Sequence, residues 1–599
     1  MASATEAIRD IVAQYADDSK TALHMRNIFT LLSPFRLWAV LWNVGYVIVQ
    51  LFIIKIFKPA RPNARKALAN PHGRVAVIGA GITGVSSAAH ALAHGFEVVI
   101  FEQAPYEKLG GIWANVNKTS ALQINSMIYR FHPGVMWKRG FPRRDEILSE
   151  VHRIWKEYYL DARTRFNTKV TSVQRSTPPD DGSWDHDRNR SRWIINDGSE
   201  GSFDAVIVTI GTCGDPNWIK LPGMPEHLGE DGSSNKNHDS PTSDSPGPDT
   251  KHSNAGGKPE PQEKFEKIII HSSQLDSPDF QLKGGEKVVI IGSGASGVEA
   301  VETVLDKFGS VKDPQGGESK KQGVEVFMIA RDDKWIIPRN IVMDTVISAQ
   351  PFGREMPLSF VWERLLRRFQ YKGVENLAPQ GKGLYEGTPV VNDDFLSHIR
   401  EGRCNYIRGS PVRLTSKGVM VTGRKKKPGK DTKMYVPKEG VTIDTVTDGA
   451  ERLYEADVVV LATGYKRPSL DFLPKDLFPE GYERPDLYLQ NFSTEDWSIL
   501  MTNSSYVNAI GTVGHFHIGI YTRILLTLLL DPSARPQPKD MKLWVDTLRF
   551  IKRGASGGAL GFFTYMELTL WLFLFHILRP DRLRWMFFIL NGWGVHAQE

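Results

Sequence analysis

Cysteine is nearly missing from this chain: its 599 residues include two, Cys213 and Cys404, far apart in sequence. That excludes a disulfide-stapled secreted scaffold and leaves no thiolate set for a zinc cluster, so no metal site is expected. Strong charge of either sign is missing as well. The formal net charge is +6, and no basic stripe with interleaved aromatics occurs, which removes nucleic acid as an expected partner. Long apolar runs are confined to the two ends. Charge and apolar content are otherwise ordinary for a chain with room for several globular domains.

What is present, twice, is a glycine triplet. Gly79-x-Gly81-x-x-Gly84 follows the strand-like run 75–78, and Gly292-x-Gly294-x-x-Gly297 follows the run 288–291; each then opens a helix-like segment. In that context glycines let the backbone approach a pyrophosphate seated on a helix N-terminus. The residue closing the next strand reads the ribose. Glu102, 18 residues after Gly84, suits the unmodified ribose of FAD or NAD, and Arg331 suits the 2′-phosphate of NADP. Arg331 lies 34 residues after Gly297, but the polar stretch 309–323 reads as a 15-residue surface insertion, without which the spacing is 19. One flavin and one NADPH on one chain imply electron transfer between them. Disulfide reductases share that pairing but need a redox-active Cys-x-x-Cys, which this chain lacks.

The ends suggest a membrane. Residues 37–54 carry no charge, have only Asn43 and Gln50 as clearly polar members, and are bounded by Arg36 and Lys55. Such a run is just long enough to span a bilayer, and no signal-peptide pattern fits it. Lys55, Lys58, Arg61, Arg65 and Lys66 follow, so the positive-inside rule leaves the catalytic domains facing the cytosol, with the endoplasmic reticulum as the expected membrane. A second apolar stretch, 559–578, contains Glu567 and His576 and precedes Arg579, Arg582 and Arg584; it reads as an in-plane anchor or hairpin. For both stretches a helix packed on the protein is the alternative.

The expected fold is α/β: two Rossmann-like dinucleotide-binding domains, the NADPH domain inserted into the FAD domain, with apolar terminal helices. The FAD domain covers 72–228 and resumes over 450–545, after an N-terminal region 1–71 and before a C-terminal apolar region 546–599. Between its halves lie a low-complexity stretch, 229–263, too polar to fold, a linker, 264–285, and the NADPH domain, 286–449. The basic run Arg424 to Lys427 reads as a solvated loop.

From about residue 74 to about residue 530 the sequence resembles the flavin-containing monooxygenases. Gly79 to Gly84 with Glu102 matches that family's FAD site. Gly110-Gly111-Ile112-Trp113 matches its GG-x-W turn beside the flavin. Leu122-Gln123-Ile124-Asn125 resembles the segment whose Asn faces the flavin ring. Gly292 to Gly297 with Arg331 matches the NADPH site, and Leu461-Ala462-Thr463-Gly464-Tyr465 matches the ATG motif between domains. The resemblance implies that NADPH reduces the flavin, which adds oxygen at C4a; bound nicotinamide and the Asn then hold the resulting hydroperoxide away from water. Asn125 is the candidate catalytic side chain, with a turn-forming Asn as its alternative. Gly110, Gly111 and Trp113 are candidate flavin contacts, with an ordinary Gly-Gly turn and core Trp as theirs.

One motif departs from the family. In F-x-G-x-x-x-H followed by an aromatic, Phe265 and His271 keep their spacing, but Lys267 replaces the Gly and Leu275 the aromatic. The Baeyer–Villiger branch has Trp at Leu275, so this chain tilts away from it; His271 reads equally as a linker anchor and a loop histidine. His515 and His517 read as a local loop feature. The expected activity is FAD- and NADPH-dependent oxygenation of a small lipophilic molecule by O2, at nitrogen or sulfur or on a pathway metabolite. The alternatives are a Baeyer–Villiger ketone monooxygenase, an NADPH-dependent flavin reductase or dehydrogenase, and an inactive membrane-bound scaffold.

Overall fold

A computed structural model of the chain describes residues 34–62, 67–126, 129–176, 192–225, 264–309, 323–341, 343–344, 359–384, 389–424, 442–505, 516–552 and 564–597. The low-complexity stretch, the core of the 309–323 insertion, His515 and most of the basic run at 424–427 fall outside these residues.

Eleven strands among the described residues build two parallel sheets. In chain order they are β1 (Arg74–Ile78), β2 (Glu97–Phe101), β3 (Thr164–Arg165), β4 (Ala205–Val208), β5 (Ile268–His271), β6 (Lys287–Ile291), β7 (Glu325–Ala330), β8 (Cys404–Arg408), β9 (Ile443–Thr445), β10 (Val458–Leu461) and β11 (Ile499–Leu500). The first sheet has the order β11-β4-β1-β2-β3 and the second β9-β8-β7-β6-β10-β5. Inner strands are short unbroken apolar runs, as RVAVI in β1 and KVVII in β6, because both faces are covered.

Helix α1 is Pro34–Phe57, α2 Ile82–Ala93, α3 Arg144–Glu157, α4 Ala295–Phe308, α5 Phe516–Leu530, α6 Thr564–Ile577 and α7 Met586–Asn591. Helix α2 is rich in Ala, Ser and Gly; these small side chains let it lie close to the sheet, and all but its first residue are buried. The two domains keep separate apolar cores, one around β1, α2, α3 and α5, the other around β6, β7 and α4.

The second sheet does interrupt the first, since β11 returns from residue 499 to pair with β4. The return comes later than residue 450. Strand β10 pairs with β6 and β5 in the second sheet, and Glu451–Glu455 pairs with Gly418–Thr422 beside it. The 264–285 linker likewise supplies edge strand β5. Continuous apolar runs look alike in either sheet, so sequence alone could not assign β10.

The apolar ends also differ from expectation. No helix among the described residues is long and apolar enough to cross a membrane. Helix α1 turns its polar residue inward: Gln50 is fully buried, donates to Trp137 O (2.9 Å) and accepts from Trp137 N (2.8 Å) and Arg130 (2.9 Å). Tyr46 bonds Ser126 at 2.6 Å. On α6, Glu567 is fully buried and accepts from Gln490 (2.6 Å) and Trp544 (3.0 Å). A residue that would be an expensive passenger in lipid is thus a docking contact.

Candidate active site

Each glycine turn sits at the C-terminal end of a central strand where strand order reverses, the crevice in which doubly wound sheets bind ligands. The glycines divide the work in the same way twice. At Gly79, φ is +104° and an added Cβ would lie 2.9 Å from Thr209 O; at Gly84 it would lie 1.9 Å from Gly79 O. At Gly292, φ is +123° and the clash would be with Ala462 O at 2.4 Å; at Gly297 it would be with Gly292 O at 2.0 Å. First and third glycines therefore permit the turn and the helix–strand approach. The middle ones face room: Gly81 would make only ordinary contact with Gly111, and nothing lies within 4 Å of Gly294. Both middle glycines are N-caps without a side-chain cap bond, and neither helix has an acid in its first turn. Unshielded N–H groups facing open space fit a pyrophosphate.

Glu102 ends the strand after β1 and is buried. Its carboxylate accepts from Ala80 N (2.6 Å) and Ala104 N (2.8 Å), which seats it beside the first turn. Gly110 and Gly111, both at positive φ, bring a second loop against that turn: Gly81 bridges Gly110, and Gly110 N donates to Ala80 O at 3.2 Å. Half-buried Trp113 packs on the first core, and its carbonyl accepts from Arg144 Nε at 3.1 Å. The returning segment after β11 closes the same turn, with Asn503 donating to Thr83 Oγ1 at 2.8 Å and Ser504 to Val208 O at 3.0 Å. Sequence reading missed Asn503; its positive φ of 58° has no motif around it.

Exposed Arg331 follows β7, and Ser293 of the second turn donates to Asp332 O at 2.7 Å. Lys334 and Ser293 line one small hollow there. Burial, with Lys382 and Arg331 nearby, holds the Lys334 ammonium below its usual range. Positive charge concentrated beside an open glycine turn suits a 2′-phosphate, and Lys334 adds to the Arg331 reading.

Two chain crossings join the domains, and they pair with one another. Gly214 N donates to Lys466 O (2.8 Å), Lys466 N to Asp215 O (2.7 Å) and Asn217 N to Gly464 O (2.9 Å). Thr463 donates its hydroxyl to Asn217 O, and Gly464 takes φ +76°. His271 is buried; its Nε2 lies 3.0 Å from Gly464 O and its Nδ1 2.9 Å from Ser273 Oγ. The linker-anchor reading of His271 is the one its bonds support. Lys267, in place of the family Gly, reaches outward to Asp457 at 2.8 Å, and Leu275 is fully buried.

Beside this junction, residues 117–125 grip the second domain. Asn117 donates to Ser272 O (2.9 Å), Lys118 N to Asp276 (2.5 Å) and Ser120 to Glu299 (2.9 Å); Thr119 bonds Thr303 (2.7 Å), and Gln123 accepts from Val391 N (2.9 Å). Glu299 keeps a partly exposed edge, yet desolvation pushes its carboxyl up to about 7 against the Ser120 bond. Asn125 ends this clasp, wholly buried, with Asp344 as its partner. Among the described residues no group of His, Cys, Asp and Glu could hold a metal, and both cysteines are free.

Two parallel sheets, each with an open glycine turn, define a flavoprotein of two dinucleotide domains, and the family model described as pyridine nucleotide-disulphide oxidoreductase matches residues 73–350. Within that class the chain is similar to flavin-dependent monooxygenases. It is similar to flavin-containing monooxygenase 5 of Homo sapiens, 24% identical over 69% of this chain and 68% of that protein. Dimethylaniline monooxygenase (N-oxide-forming) 2 of Rattus norvegicus is 25% identical over the same shares. A Baeyer–Villiger monooxygenase of Pseudomonas aeruginosa is 26% identical over 39% of this chain, a match spanning about a third (35%) of that protein's length. Among solved structures, an oxidized steroid monooxygenase bound to NADP has a TM-score of 0.54 at 16% identity, covering 83% of this chain and 97% of that one. A cyclohexanone monooxygenase has a TM-score of 0.52 at 16% identity, with 85% and 98% covered. These two share the fold.

Proposed function

We propose that the protein is an FAD- and NADPH-dependent monooxygenase that uses O2 to place one oxygen atom on the nitrogen or sulfur of a small lipophilic molecule. The observation that carries this reading is the pair of uncapped glycine turns, one with Glu102 and one with Arg331, in a chain with no thiol pair to pass electrons to. Bound FAD supplies the relay from NADPH to oxygen. The chain does the rest. Backbone N–H groups at Gly81 and Gly294 hold the pyrophosphates, Glu102 and Arg331 choose the riboses, and Gly110-Gly111 brings backbone close to the flavin. Asn125 supplies a buried polar side chain, and the 117–125 clasp excludes water from the cleft. Leu275, where the Baeyer–Villiger branch has Trp, favours heteroatom over ketone oxidation. The test is a screen of tertiary amines, sulfides and ketones with NADPH and O2 consumption measured together and products identified. N- or S-oxides are expected; esters from ketones would move the chain to the Baeyer–Villiger reading, and flavin reduction without any oxygenated product would refute both.

We further propose that the protein rests on the cytosolic face of a membrane, the endoplasmic reticulum being the expected one. Supporting this, α1 exposes Leu41, Ile48, Val49 and Phe52, and the C-terminal region exposes Phe573 and Ile577 of α6, Phe587 of α7 and Trp593 just beyond it. Trp593 Nε1 lies 3.4 Å from Ile56 O, so the two apolar faces adjoin. Flotation with phospholipid vesicles, reversed by carbonate at high pH, is the expected result; no flotation would refute it.

A further inference from the structure

Asp344 has no place in the sequence motifs, yet it is 4% exposed and spends one carboxylate oxygen on Asn125. Its Oδ2 accepts from Asn125 N at 2.6 Å and from Asn125 Nδ2 at 2.8 Å. The two residues lie 219 positions apart and on different domains. Asp344 follows Arg331 on the second domain, where its own N–H bonds Asn340 O at 2.8 Å. The ribbon Ile336–Ile337, paired with Val390–Val391, leads into it, and Val391 N in turn holds Gln123 of the clasp.

Two bonds from one residue to one anionic oxygen fix more than position. An amide has a donor end and an acceptor end. A flip of Asn125 would set its Oδ1 against the carboxylate, two acceptors 2.8 Å apart in a buried site, so the flip is closed. The backbone bond holds the main chain and the side-chain bond holds the dihedral, and planarity then aims the opposite edge of the carboxamide away from Asp344. Because the acceptor belongs to the NADPH domain, that aim depends on how the domain is seated.

We propose that Asp344 is a positioning residue for Asn125, orienting its carboxamide from the NADPH domain for the oxygenation reaction. The proposal rests on the reading of Asn125 as the catalytic side chain. The test needs no substrate. It uses the FAD-loaded full chain and the ratio of peroxide release with NADPH and O2 to the anaerobic rate of flavin reduction by NADPH. Asn125→Ala and Asp344→Ala should each raise that ratio about tenfold to a hundredfold, the worth of a hydrogen bond to a charged group. The double variant should match Asn125→Ala alone, since the two act in series. Asp344→Asn keeps an acceptor oxygen and should recover most of the loss. If Asn125→Ala changes the ratio and Asp344→Ala does not, the positioning role is wrong and the Asn125 reading survives. If Asn125→Ala leaves the ratio unchanged, both fall. Additive effects in the double variant, or an Asp344→Ala effect explained by lost FAD and a lowered Tm with an unchanged ratio, would also overturn it.

Discussion

The two open middle glycines make a test in which binding and folding come apart. Gly294 has φ −76° and ψ −170°, extended backbone that any residue adopts, and an added methyl meets nothing within 4 Å. Gly294→Ala therefore loses little beyond the preference of an N-cap for Gly over Ala, about 1 kcal/mol, or about 2–4 °C in the Tm of a domain this size. The same methyl stands where a pyrophosphate would meet the N-terminus of α4. Losing one charge-assisted N–H bond there is worth about 1.5–3 kcal/mol, so KM for NADPH should rise about tenfold to a hundredfold. Gly297→Ala should do the reverse. Its Cβ would lie 2.0 Å from Gly292 O and 2.8 Å from the attached carbon, both backbone, so α4 must move off β6. Overpacking of that kind costs about 1–3 kcal/mol, a Tm loss of about 2–12 °C. The assay is thermal unfolding beside anaerobic flavin reduction titrated with NADPH. A Gly294→Ala protein with wild-type NADPH dependence would remove the pyrophosphate from this turn. A Gly297→Ala protein with wild-type Tm would show that helix and strand are not in the contact described.

Three further outcomes follow from single residues. Arg331→Ala should raise KM for NADPH about tenfold or more while leaving NADH within about twofold, since only NADPH offers the 2′-phosphate; equal losses in steady-state kinetics would refute that role. The Glu299 carboxyl titrates at about 7 in the folded chain against an ordinary 4.5, so the folded state holds its proton more tightly. Stability from it is full below 4.5 and is lost as pH rises through about 7; Tm should fall across that window, and less for Glu299→Gln, whereas identical profiles would refute the assignment. Gln50→Leu should destabilise the protein by about 1–3 kcal/mol for each polar group it orphans at Trp137 and Arg130, whereas a helix lying wholly in lipid would tolerate or welcome the change; chemical denaturation distinguishes them.

Local chemistry was legible and long-range pairing was not. A glycine triplet between an apolar strand and a helix has one main physical use, so the turns at Gly79 and Gly292 were legible, and Glu102 does bond beside the first of them. The spacing argument that excised 309–323 worked because a Rossmann strand must return beside the first, and β7 does pair with β6. Strand β10 was harder, because VVVL fits the interior of either sheet and only its partners assign it. The run 37–54 looked like a membrane span because hydropathy counts residues without direction. Gln50 looked like one tolerated polar residue, when its three hydrogen bonds to residues 130 and 137 join Tyr46 in docking the helix. Asp344 carried no signal at all: a lone carboxylate gains meaning only from a partner 219 residues away.

The way the domains are joined bears on how electrons could be delivered and then contained. One junction is a pair of crossing segments, 214–217 against 464–466, bonded to each other through backbone and locked by His271. The 117–125 clasp adjoins it, Asn117 reaching Ser272 O beside His271, with Phe141 as an apolar contact that enters the second core. Each neutral bond there is worth about 1 kcal/mol net and each bond to a charged carboxylate about 1.5–3 kcal/mol. The bonded crossing segments, the clasp and Phe141 together hold the two domains in one arrangement. In that arrangement Asn125 is gripped by the domain that would carry NADPH. On the proposed role of Asn125, a side chain needed only after hydride transfer would thereby be oriented by the same domain that brings the donor to the flavin, which would tie protection of activated oxygen to the presence of the donor.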